Sequence, residues 1–218
     1  MNNDSFRSDS GTFVSEDARV AKRERILDAA VVEIARRGYY RTTVSHIARR
    51  AGVADGTIYL YFKNKEDVLV SVFDRAMRRF IVEARGIVEE GTLGAVGMLR
   101  RLVALHFTLL GADRDLAVVF QVEFRHTLHV LEVLSRSGIR DYLALIARVV
   151  EQGKREGAFR SDVEALLAAK AVFGVLDEMV TDWVLSRKNV RLVSRADAVS
   201  DLLLRGLAAQ PLKGAAAP

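Results

Sequence analysis

Residues 46–62 read HIARRAGVADGTIYLYF. Two short helical segments meet here at a tight turn. Ala48 is small where the second segment must approach closely, and Gly52 permits the backbone angle the turn needs. Val53 and Ile58 supply an apolar wedge between the segments. A small residue, a glycine four later and an apolar residue six beyond that is helix-turn-helix spacing. On its own the same pattern also fits an ordinary corner between two helices. Thr43 is a competent N-cap for VSHIARRA, so the second helix starts at Val44 and ends at Gly52. Asp55 through Tyr61 form a short third helix.

Working outward, the first helix is expected from Glu16 to Arg37. Ile26, Leu27, Ala30, Val31, Ile34 and Ala35 form its inner stripe, and Gly38 ends it. Tyr39 and Tyr40 follow as a hinge packed on the core. Asn64 caps a fourth helix reaching Glu90, with Asp67 placed as in a capping box. Five more helices are expected at roughly 92–110, 114–128, 130–156, 163–187 and 194–208, broken by Gly-Ala-Asp at 111–113, His129 or its neighbour, Gly157 and the Asn189 region. No stretch alternates as strands do. The expectation is an all-α chain of about nine helices. Residues 1–15 form a polar tail, 16–66 a three-helix DNA-binding domain, 67–210 a helical bundle for ligand binding and dimerisation, and 211–218 a frayed end.

Composition narrows the function classes. The chain has 218 residues, half of them hydrophobic, with two prolines and no cysteine. Disulfides, thiolate zinc sites and cysteine nucleophiles are excluded. The net charge is +5, and residues 16–66 alone hold eleven Lys and Arg against seven Asp and Glu. The basic excess therefore concentrates at the N-terminal end, as a polyanion-binding module requires. Met1–Gly11 lacks the apolar core of a signal peptide. No uninterrupted apolar run approaches the roughly 18 residues of a membrane span. A cytoplasmic protein without membrane partners is expected.

The polar residues around the turn point to DNA. Arg41, Thr42, Thr43 and Ser45 crowd the start of the second helix. Asp55, Gly56 and Thr57 begin the third, the end that meets base edges in the major groove. Tyr59 and Tyr61 alternate with Ile58, Leu60 and Phe62, and Lys63 and Lys65 follow. Hydroxyls, phenols, ammonium groups and helix N-termini are donors to phosphate oxygens. The tyrosines could instead pack in the core. Contact roles are favoured because Ile58, Leu60 and Phe62 already supply apolar bulk. Of Arg49 and Arg50, one is expected to be a solvated charge.

The run RILDAAVVEIARRGYYRTTVSHIARRAGVADGTIYLYFKNKEDVL, residues 25–69, closely resembles the N-terminal domain of TetR-family repressors. The resemblance implies an all-helical homodimer in which three N-terminal helices bind a palindromic operator and a C-terminal bundle binds a small ligand. It further implies Thr57 and Tyr59 as DNA contacts, and Tyr61 and Lys65 as phosphate anchors.

In the second half, DVEALLAAKAVFGVLDEMVTDWVLS is apolar almost all round. Leu166, Phe173, Val180 and Trp183 lie on one face, and Leu167, Ala171, Val175, Leu176 and Met179 widen it. Such a helix must be covered on most sides. A second copy is the natural cover, with Leu202, Leu203, Leu204 and Leu207 completing a four-helix interface. The other solution is that the helix runs through the monomer core.

His106, Gln121, Glu123, Arg125 and Asp177 are polar groups in apolar surroundings. They either pair within the chain, for instance Arg125 with Glu123 or Asp177, or form a polar patch at the mouth of an apolar pocket. The stretches HFTLLGADRDLAVVFQVEFR and VFGVLDEMVTDWVLSRK extend the resemblance to FadR-type members of the family. That implies repression of fatty-acid β-oxidation genes, relieved by long-chain acyl-CoA as effector, with no cofactor. Phe107, Leu110, Phe120, Phe124, Phe173 and Val180 could line a tunnel for the acyl chain. Arg100, Arg101, His106, Arg125 and Arg148 are the basic groups available to the CoA phosphates.

Three rivals have weaker footing, one of them a ligand-free architectural DNA binder. A drug- or flavonoid-responsive repressor would need a wide aromatic pocket, whereas the lining expected here is aliphatic. An enzyme would have to use His106, Glu123 and Ser135, or the pair His126 and His129 as half a metal site. No third ligand, nucleophile elbow or phosphate loop accompanies them, so neither a catalytic nor a metal site is assigned.

Overall fold

Around Gly52 the quoted stretch folds as two helices joined by a left-handed glycine. In the computed structural model, which describes residues 16–123, 138–186 and 190–209, α1 spans Glu16–Arg37, α2 Val44–Ala51 and α3 Asp55–Ile58. Gly52 has φ +66°, and its N–H and that of Val53 close the last turn of α2 onto Arg49 and Ala48 carbonyls. At the other end the Thr43 hydroxyl accepts from the His46 N–H at 3.2 Å. His46 Nδ1 accepts from the Thr43 N–H in return. Helix α3 is one turn long and passes through hydrogen-bonded turns to Phe62.

The remaining helices are α4 (Lys65–Glu89), α5 (Ala95–Ala112), α6 (Arg114–Val118), α7 (Gly138–Arg155), α8 (Ala165–Leu185) and α9 (Ala196–Leu207). Asn64 Oδ1 caps α4 by accepting from the Asp67 N–H, and Asp67 reaches back to the Lys63 N–H rather than to Asn64. The helix expected over 114–128 is α-helical only to Val118 and widens into a π-turn, Val119–Glu123. A 3-10 turn, Leu192–Arg195, leads into α9. The two terminal segments, residues 124–137 and the Asn189 break lie outside the described residues.

Two hydrophobic cores form. The first joins α1, α2, α3 and the start of α4 through Ile26, Leu27, Ile34, Ile47, Ile58, Phe62, Leu69 and Val72. The second joins the rest of α4 to α5, α7, α8 and α9 through Phe80, Leu99, Leu102, Phe107, Ile146 and Leu176. Helix α4 thus belongs to both: Val68–Phe73 to one, Phe80–Val88 to the other. Val119 of the π-turn also packs in the first core. Helix α5 is the one described helix long and apolar enough to cross a membrane, with mean hydropathy 1.3. Its Met98, Leu99, Leu102, Val103, His106 and Phe107 are buried in the second core. At the base of the bundle, Gly153 lies under Phe159, where a Cβ would meet the ring at 2.1 Å.

Candidate nucleic-acid interface and ligand cavity

Exposure sorts the residues around α2 and α3 into a surface and its supports. Arg41, Thr43, Asp55, Gly56, Tyr59 and Lys63 are exposed, and Ser45, Thr57, Tyr61 and Lys65 are half-buried. Ser45 donates to the Asp55 carboxylate, tying the start of α2 to the start of α3. Thr42 is 1% exposed, and its hydroxyl donates to the Gly38 and Glu33 carbonyls at 2.9 and 3.1 Å. It secures the α1–α2 connection and is not on the surface, a correction to its expected contact role.

Lys65 is also a support. Its ammonium donates to the Tyr39 and Thr42 carbonyls at 2.8 and 2.9 Å and sits 4.3 Å from the Tyr39 ring centre. Burial lowers its pKa from the usual lysine value. Arg41 Nε donates to the Arg37 carbonyl. Leu60, expected inside, is 74% exposed, and Tyr40, expected against the core, is 71% exposed. Both extend the surface.

Beneath this surface Glu33 binds Arg50 at 2.5 Å and Arg37 at 2.6 Å, so Arg49 is the solvated member of the Arg49–Arg50 pair. The Arg50 hydrogen bond leads in holding the Glu33 carboxyl below its ordinary value, working against burial. Sequence reasoning missed Glu33; its place inside the apolar stripe of α1 was the available signal.

Between α4, α5, α6, α7 and α8 lies a cavity of about 250 Å³. This is close to the lower end of the roughly 300–1,000 Å³ of small-molecule sites. Of the expected ligand residues, His106, Leu110, Phe120, Gln121, Phe173 and Asp177 line it. Phe107 and Val180 do not: both are fully buried in the second core. Arg100 and Arg101 stand on the outside of α5, paired with Asp201 and Glu90. Arg148 lies 4.0 Å from Glu89, away from the cavity. Phe124 and Arg125 fall outside the described residues, as do His126, His129, Ser135 and the Glu123 side chain.

Phe73, Met77, Arg79 and Phe80 of α4, Leu109 of α5, and Ile139 and Tyr142 of α7 complete most of the wall, unforeseen from the sequence. The lining therefore mixes aromatic rings with aliphatic side chains, among them Leu109, Leu110, Leu116 and Ile139. Phe73 stacks on Phe120 at 4.8 Å, and Phe80 meets Tyr142 edge-on at 4.5 Å. Gln121 donates to Asp177 at 2.9 Å and accepts from the Thr181 hydroxyl at 2.9 Å. Arg79, paired with Glu83, brings a cation to the wall with its side chain 73% exposed.

The cavity and the surface share supports. Phe73 touches both the cavity and the first core. On α4, Arg75 bridges to α1 through Glu24 at 2.9 Å and Asp28 at 2.8 Å.

Large apolar side chains stand among the charged ones on the outside of α8 and α9. Leu167 is 58% and Leu202 67% exposed, while Val175, Met179, Trp183, Leu203 and Leu204 are half-covered. Phe173 of α8 faces the cavity, as its expected ligand role requires, whereas Val180 of the same helix is buried in the second core.

Residues 26–72 match the bacterial regulatory proteins of the TetR family, and residues 73–206 match the C-terminal region of YsiA-like proteins. The chain belongs to the TetR family. Among its TetR relatives, the fatty acid metabolism regulator protein of Bacillus subtilis (strain 168) is 39% identical over 183 residues, 84% of this chain and 94% of that one. The fatty acid degradation regulator FadR from Bacillus halodurans superposes with a TM-score of 0.81 at 41% identity, covering 87% of this chain and 97% of that chain. FadR from Bacillus subtilis, solved in complex with stearoyl-CoA, superposes at 0.79 with 38% identity, over 84% and 98%.

Proposed function

We propose that this TetR-family protein is a homodimeric repressor of fatty-acid degradation genes, released from its operator by long-chain acyl-CoA. The carrying observation is that α4 both walls an apolar cavity and packs into the core of the helix-turn-helix. An occupant that moves α4 also moves the reading surface. The match to FadR proteins along most of the chain supports the choice of effector. The lining supports it too, since each methylene withdrawn from water contributes about 0.8 kcal/mol.

In this reading Thr57, Tyr59 and Gly56 meet base edges, and Thr43, Tyr61 and Lys63 meet phosphates. The exposed leucines of α8 and α9 meet those of a second copy, setting two reading helices about 34–36 Å apart or a multiple of that. Arg79 is the described cation placed to meet an anionic head group. The dimer acts on chromosomal DNA inside the cell and catalyses no reaction. Release requires that the effector bind the displaced state better; tight binding alone shifts nothing.

Anisotropy of a labelled β-oxidation promoter fragment, titrated with the protein with and without palmitoyl-CoA, tests the proposal. Affinity is expected to fall at least tenfold with ligand, a coupling of about 1.4 kcal/mol. Undiminished binding at saturating palmitoyl-CoA would refute it.

A further inference from the structure

Among the described residues, His106 Nε2 is the one buried side-chain nitrogen or oxygen without a hydrogen-bond partner. The residue is 5% exposed and lines the cavity. Its neighbours are rings: Phe80, Phe107 and Phe173 meet it edge-on at 5.5, 6.1 and 6.4 Å, and Tyr142 stacks at 5.9 Å. Native proteins rarely leave such an atom unsatisfied, and one on a residue that lines a cavity points to a missing partner.

The other ring nitrogen fixes what that partner must be. The buried Tyr142 hydroxyl lies 3.4 Å from Nδ1. A phenol oxygen can donate or accept, and among the described residues Nδ1 is the one acceptor within reach of the Tyr142 proton. The arrangement that satisfies that proton has Tyr142 donating to Nδ1, and the neutral imidazole then carries its own proton on Nε2. Burial pushes the imidazolium pKa down to about 4, so the ring is uncharged at neutral pH. The cavity wall thus holds an uncharged imidazole whose Nε2 has no partner among the described residues.

We infer that His106 Nε2–H is the polar anchor of the effector and donates to an uncharged carbonyl oxygen, the thioester carbonyl of an acyl-CoA. This rests on the acyl-CoA reading and deepens it. An uncharged donor compensates a neutral acceptor well. A carboxylate placed there would lose its hydration and meet no positive charge on the ring. Tyr142 acts as a positioning residue by holding the tautomer.

The test compares palmitoyl-CoA with S-hexadecyl-CoA, a thioether in which a methylene replaces the carbonyl. Calorimetric titration of the full-length protein is expected to show the thioester binding about tenfold tighter. His106→Phe is expected to bind both ligands equally. In the wild type, the signal of isotope-labelled His106 Nε2–H is expected to shift with the thioester and not with the thioether, a readout independent of any variant's folding. Equal binding of the two by the wild type, or a preference that survives in His106→Phe, overturns the inference and leaves the acyl-CoA reading standing. Failure of both ligands to bind overturns both.

Discussion

An imidazole buried without a counter-charge makes the fold sensitive to acid. The unfolded chain takes up a proton on His106 near pH 6.5, whereas the folded chain does so only at about 4. As pH falls below 6.5, the unfolded state binds the extra proton and stability drops, levelling off near 4. At about 1.4 kcal/mol per pH unit the loss approaches ~3 kcal/mol. Urea denaturation of wild type and His106→Phe at pH 7 and 4.5 should show that much excess acid sensitivity in the wild type alone. At this scale sequence reading had mixed success, for a physical reason. Thr42 and Thr43 are chemically identical neighbours, yet one is 1% exposed and the other lies at the surface. Lys65 matches a phosphate-anchor position, but its ammonium is held by two backbone carbonyls. Residue type reveals what a group can bond; only the fold decides which partner reaches it first.

Among the helices, α4 has a double membership that assigns Arg75 a role. Its ion pairs with Glu24 and Asp28 are partly exposed and contribute less than about 1 kcal/mol to stability. They nonetheless link the cavity wall to α1. Arg75→Met is expected to leave palmitoyl-CoA affinity and melting temperature nearly unchanged while reducing ligand-induced loss of operator affinity several-fold. Parallel calorimetry and anisotropy would reveal that split; an unaltered ligand response would dismiss Arg75 as a coupler. Helix limits were largely legible, because glycines at 38, 52, 91 and 157 adopt positive φ at the breaks. The π-turn at Val119–Glu123 was not. Its cause is tertiary, since Val119 is held in one core while Phe120 and Gln121 face the cavity. The wall formed by α4 was equally hidden: Phe73, Met77 and Phe80 have helical core spacing whether they face a solid interior or a void.

For the molecule as a whole, the apolar helix expected at 163–187 has one side in the monomer core and another turned outward, so both covers weighed for it apply to part of it. Phe173 and Val180 serve the monomer, leaving Leu167 and Leu202 outward. Exchanging Leu167 and Leu202 together for glutamate is expected to yield a folded monomer whose operator affinity falls by at least a hundredfold, because one half-site supplies only part of the contacts. Sedimentation velocity and anisotropy measure the two effects. A double variant that stays dimeric would move the interface elsewhere.

The cavity of about 250 Å³ has a mechanical consequence. The part of that space closed to solvent is volume that unfolding eliminates, so it adds to the tendency of hydrostatic pressure to favour the unfolded chain. A repressor whose cavity is filled by its effector is therefore expected to resist pressure better than one without it. Palmitoyl-CoA should raise the pressure midpoint of unfolding, read by tryptophan fluorescence of Trp183; an unchanged midpoint at saturating ligand would refute this.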